Sequence, residues 1–145
     1  MHIPAAGSPP SRIGSPEAFT GAARIDPVIK AVAPARAEAA FVTLEPGART
    51  AWHTHSLEQA LVVLSGLGLA QSFGGPVREM RPGDTVRFEP GEKHWHGAHP
   101  EVAVHYLAIH EDLNGSHVTL LEHVTDAQYR CQGGIVAARN GNEDH

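Results

Sequence analysis

From Glu38 onward a turn signal interrupts the chain every eight to twelve residues or so, and this punctuation limits the fold more than any other feature. AAFVTL (Ala39 to Leu44) stops at Glu45, Pro46 and Gly47, and QALVVL (Gln59 to Leu64) stops at Ser65 and Gly66. Gly68 to Phe73, Val77 to Met80 and Thr85 to Phe88 are closed in turn by GGP, RPGD and EPG. Arg49 to His55, His94 to His96, Val102 to His110 and His117 to His123 complete the series of short apolar or alternating segments. No amphipathic stretch long enough for a packed helix falls among them, so the pattern predicts an all-β barrel or sandwich over residues 38–124.

The ends read differently. Residues 1–37 form an N-terminal arm, rich in Pro, Gly and Ser at its start. A short helical turn opens at Ser15, Pro16 and Glu17, and an edge strand is expected over Arg24 to Ile29. Thr125 with Gln128 three residues on is a capping-box start for a short helix, and residues 132–145 read as a flexible tail. The formal charge of −5 and the absence of any basic block argue against nucleic acid, and no apolar run approaches the ~18 residues of a membrane span. The lone Cys131 has no internal disulfide partner, which fits a reducing, cytoplasmic setting.

Eleven histidines stand out, and their placement gives them meaning. Alternation puts His53 and His55 on one face of a strand, and His94 and His96 on one face of another. Gln59 opens the strand that follows the first pair. Three imidazole nitrogens and one amide oxygen make a four-ligand site for a divalent first-row metal, with positions left open for water or substrate. Trp52 and Trp95, of opposite parity, are expected on the outer face or at a dimer interface.

The spacing Gly47, His53, His55, Gln59, Gly66 resembles the first cupin motif, with glutamine where that family usually has glutamate. Gly83, Pro90, Gly91 and His94 resemble the second, with the proline one place late and Ala98 in the asparagine position. The resemblance implies a cupin jelly-roll β-barrel with an N-terminal arm and a short C-terminal helix. Longer strings, among them FTGAARIDP, FVTLEPGARTAWHTH, PGEKHWHGA and HVTDAQY, are similar to a subgroup of small single-domain cupins that includes manganese-dependent bacterial hydroxynitrile lyases.

That likeness implies His53, His55, Gln59 and His94 as ligands of one divalent metal per chain, manganese first, with iron, nickel and zinc as alternatives. It also implies a pocket lined by Ala40, Val42 and the position of His110, to which strand parity adds Leu61, Val104 and Ala108. In those lyases the position of Tyr106 carries a histidine associated with proton transfer. Here the histidine is His105, of opposite parity, so Tyr106, His96 and His110 are the candidate catalytic groups. The expected function is a lyase acting on small 2-hydroxynitriles. The alternatives are an iron or manganese dioxygenase, an isomerase, or a non-catalytic ligand-binding cupin. A small-molecule substrate and a homodimer or higher homo-oligomer are expected, since an exposed sheet edge favours pairing.

Overall fold

The structure, a computed structural model, describes residues 1–115 and 118–130, and the backbone alone of 135–136. Its elements in chain order are β1 (Arg12–Ile13), β2 (Phe19–Thr20), β3 (Ala23–Ile29), β4 (Ala37–Leu44), β5 (Arg49–Thr50), β6 (His53–His55), β7 (Gln59–Gly66), β8 (Gly68–Ser72), β9 (Val77–Met80), β10 (Thr85–Phe88), β11 (His94–Ala98), β12 (Val104–Glu111), β13 (Val118–Leu120), the helix α1 (Asp126–Tyr129) and β14 (Ile135–Val136). The expected β segments between Ala39 and His110 all appear, within a few residues of the turn signals that bound them. Cys131, His117 and, apart from the β14 backbone, the tail expected over 132–145 lie outside the described residues.

Two curled sheets face each other as a jelly roll. One runs β1-β3-β4-β12-β7-β10, and the other runs β13-β6-β11-β8-β9-β14, with β5 joining β11 and β2 joining β5. The ladders within the first sheet are all antiparallel. Two details depart from the alternation pattern. The single strand expected over Arg49 to His55 is interrupted at Ala51 and Trp52, whose amides leave the ladder to bond the carbonyls of Ala18 (2.8 Å) and Glu122 (2.9 Å). The strand expected at the edge, β3, is second from it, because β1 adds outside with Arg12 opposite Ile25.

Between the sheets lies an apolar core that includes Leu44, Leu61, Val63, Met80, Phe88 and Val104, all buried. Gly66 shows why the turn signals are needed. Its φ is +83°, and a Cβ there would fall 1.9 Å from the carbonyl oxygen of Ala103, so only glycine lets β7 pass the start of β12.

A second core lies on the outside of the histidine-bearing sheet. Trp52 and Trp95 are buried there with Leu69, Val77, Val124 and Tyr129. Outer-face packing is therefore their role within the chain, and a partner subunit is not needed to cover them. The cover is the α1 segment, whose capping box forms as the sequence predicts: Gln128 N donates to Thr125 Oγ1 and Thr125 N to Gln128 Oε1. The buried Arg49 clamps this segment, donating to Val124 O (2.7 Å) and Asp126 Oδ1 (2.9 Å) while its guanidinium lies over the Tyr129 ring.

Candidate metal centre and cavity

β6 and β11 pair antiparallel with His53 opposite His94, so alternation aims His53, His55, His94 and His96 into the space between the sheets. Gln59 enters from the other sheet at the head of β7, and all five side chains are buried. Glu58, its neighbour, points outward into a bidentate pair with Arg87 at 2.6 and 2.7 Å.

Backbone carbonyls set the ring tautomers. His53 Nδ1 lies 2.8 Å from Ala51 O and His94 Nδ1 lies 2.7 Å from Glu92 O. A carbonyl only accepts, so each Nδ1 carries a proton, and the neutral ring turns an Nε2 lone pair inward. Burial keeps the rings neutral: it lowers His53 below its ordinary value, His94 to about 3 and His96 well below 6.5. The stacked Phe88 ring, 3.7 Å from His94 centroid to centroid, is part of that dry environment.

The nitrogens of His53, His94 and His96 lie within 4.8 Å of one another. Two observations test whether a metal fits among them. The Nε2 of His94 is 2.9 Å from Gln59 Oε1, so one lone pair faces another acceptor. A shared cation resolves that contact, because adjacent ligands ~2.1 Å from an ion and at right angles are roughly 3.0 Å apart. In addition, His96 Nε2 is buried without a hydrogen-bond partner. The donor set of neutral imidazoles and an amide oxygen therefore suits a divalent first-row metal. The His55 and His96 rings are equally distant from the pair, each 5.2 Å from the His53 ring and 5.9 Å from the His94 ring, and it is a nitrogen of His96 that falls within the 4.8 Å group. His96, read from the sequence as a base, is thereby a further candidate ligand beside His55.

The cluster forms one wall of a cavity of about 220 Å³. Ala40, Val42, Ala108 and His110 line it, together with Tyr106, His53, His55 and Gln59. Leu61 and Val104 do not. They sit in the apolar core, Leu61 beside Ala108 across the β7–β12 ladder and Val104 two residues before Tyr106 on β12. Tyr106, fully buried, places its hydroxyl 2.5 Å from His96 Nδ1, and burial raises its pKa far above the ordinary phenol value. His105 faces away as its parity implies, stacked on Phe41 and 2.9 Å from Thr43 Oγ1.

The cavity also holds residues not anticipated from the sequence. Phe19, Val118 and Leu120 come from segments whose pairing no local pattern specifies, and Arg12 comes from the N-terminal arm. Glu38, on β4 opposite His110, puts its Oε2 3.4 Å from His110 Nε2. The parity of Glu38 with Ala40 and Val42 was a usable signal for it. Thr50 Oγ1 accepts from the amide of His96 at 3.2 Å and fixes β11 beside β5.

A jelly roll with a buried imidazole and amide cluster in its mouth defines a class, and sequence comparison agrees with it. Residues 40–110 match the cupin domain, and the chain belongs to the cupin family. Among curated proteins it is 56% identical over 130 residues to an (R)-mandelonitrile lyase of Granulicella tundricola, an alignment covering 90% of this chain and 99% of that one. A solved cupin-like protein from Thermotoga maritima is 34% identical, with a TM-score of 0.78 over 81% of this chain and 90% of that one. A polyketide cyclase from Streptomyces resistomycificus, 19% identical with a TM-score of 0.59 over 74% of this chain and 76% of that one, shares the fold.

Proposed function

We propose that this cupin is a metal-dependent lyase that cleaves and forms small 2-hydroxynitriles. The observation that carries the reading is the facing pair of acceptors, His94 Nε2 and Gln59 Oε1, at the cavity that Gln59 lines, taken with the 56% identity to a mandelonitrile lyase. His53, His55, Gln59 and His94, with His96 as a further candidate, would hold the metal, and manganese is the ion we propose. The bound ion supplies Lewis acidity toward an oxygen or a departing cyanide, and a neutral amide in place of a carboxylate leaves more of its charge uncompensated.

The protein's own residues do the rest. Ala40, Val42 and Ala108 leave room for the substrate side chain and exclude water from around it. His110 is the better base of the two candidates, since the Glu38 carboxylate sits beside the imidazolium it would become, whereas His96 is desolvated and resists protonation. The hydroxyl proton passes to His110, and the O–H electron pair forms the carbonyl. The bond to the nitrile carbon breaks, and cyanide departs with the electron pair of that broken bond and takes the proton back from His110 as hydrogen cyanide. The hydrogen-bonded Tyr106 holds the His96 ring in place.

Manganese-loaded protein incubated with mandelonitrile is expected to release benzaldehyde and cyanide, and His53→Ala to abolish the release. A fully metallated sample with no turnover refutes the reading. An iron or manganese dioxygenase on the same site is the second reading, which oxygen uptake by the iron-loaded protein tests. A homodimer belongs to the same proposal; exposed Val28, Ile29 and Val32 on the arm side give it an apolar face, and sedimentation checks it. Among the described residues no helix is long and apolar enough to cross a membrane.

A further inference from the structure

β1 is only two residues long and exposed at both, and the residue it turns toward the cavity is the charged one. Ile13 is 87% exposed, while the charged Arg12 lines the cavity. Arg12 is itself solvent-exposed at the rim of that cavity, and a one-residue slip would put the apolar Ile13 there in its place. The register is held against that slip at both ends. Gly14 N donates to Ala23 O at 2.9 Å, and the Ser11 hydroxyl bonds the Asp26 carboxylate. A local rule broken this firmly points to a role for the residue that gains by it.

The register also says where Arg12 sits. Arg12 pairs with Ile25, Ile25 with Val42, and Val42 with Tyr106, so the four form one lateral row across β1, β3, β4 and β12. Directly paired residues share a face, and all four line the cavity. Three inter-strand steps of ~4.8 Å put Arg12 roughly 14 Å across the sheet from Tyr106 and the adjoining histidine cluster. Between the two ends the row is apolar. No carboxylate is paired with Arg12 among the described residues: Asp26 is held by Ser11 and Arg24, and Glu38 lies beside His110.

We propose that Arg12 is a specificity-determining residue that receives a carboxylate on the end of the substrate away from the metal centre. The occupant is then a small aldehyde or its cyanohydrin bearing a remote carboxylate. One planar guanidinium matches one carboxylate, and the apolar row suits a ring or short chain between the two ends. The choice of aldehyde rests on the lyase reading above; the carboxylate contact does not.

Calorimetric binding of 4-formylbenzoate and of benzaldehyde to the metal-loaded protein separates the two. The intact protein is expected to favour 4-formylbenzoate by about tenfold or more. Arg12→Met, which keeps the apolar stem and removes the charge, is expected to erase that ratio, and Arg12→Lys to restore part of it. An equal ratio in the intact protein, or a ratio that survives Arg12→Met in a variant with an unshifted melting curve, overturns the proposal. Turnover of the two cyanohydrins is read alongside. An Arg12-dependent carboxylate preference without cleavage refutes the lyase and supports the anion site, whereas cleavage without that preference does the reverse.

Discussion

β6, β11 and the residues flanking them carry two buried clusters on opposite sides, and the two are alike in burial and opposite in chemistry. One side holds His53, His94 and His96; the other holds Trp52 and Trp95. On the tryptophan side both indole tips are answered. Trp95 Nε1 donates to Gln71 Oε1 at 2.9 Å, and Trp52 Nε1 to Gln128 Oε1 at 3.3 Å. On the histidine side His96 Nε2 has no hydrogen-bond partner, and the lone pair of His94 meets another acceptor. A buried group that is fully satisfied holds the fold together, and one that is left open implies something still to be bound.

The contrast can be broken from either side. The largest effect is expected for His53→Ala: loss of metal in elemental analysis and loss of cyanohydrin cleavage, while the metal-free protein keeps its melting temperature. The opposite behaviour is expected of Trp95→Ala, which should lower unfolding free energy by about 3–5 kcal/mol in urea titration while its folded fraction still binds metal. If Trp95→Ala abolishes metal binding in the folded state, the two faces are not independent.

The pH dependence sharpens the same contrast. The folded-state pKa values of His53, His94 and His96 are lowered, so below pH ~6.5 the unfolded chain binds protons that the folded one refuses. Stability of the metal-free protein is therefore complete above that value and declines as pH falls toward 3. For His94, held at about 3, the loss is about 1.4 kcal/mol one pH unit below 6.5, measurable as a falling urea midpoint. The smallest change is expected from Tyr129→Phe. It removes the donor to Ala98 O on the satisfied side and should cost about 1 kcal/mol, with metal affinity unaltered.

The β segments and the inward histidines were legible because both depend on period and punctuation. Gly66 and Gly47 mark turns that need positive φ, and His-x-His spacing fixes a face whatever the strand pairs with. What the sequence left hidden depends on which strands meet. His96 joins the tight group from β11, which pairs with both β5 and β6, and no residue near His96 announces those pairings. Leu61 has the parity of a wall residue, yet it is fully buried in the apolar core. Arg12 faces the cavity because β1 docks in one register of two, and the apolar Ile13 beside it argues locally for the other.

The strand β11 reads His94, Trp95, His96, and these three words are spelled against two different readers, a polar interior and an apolar exterior. A single inserted or deleted residue ahead of it would hand each side the other's letters, leaving tryptophan in the cavity and imidazoles against Tyr129. Substitutions can accumulate here one at a time, but changes of length are admissible only in pairs. The segment from Glu92 to Gly97 should therefore hold its length through divergence even where its flanking turns lengthen and shrink.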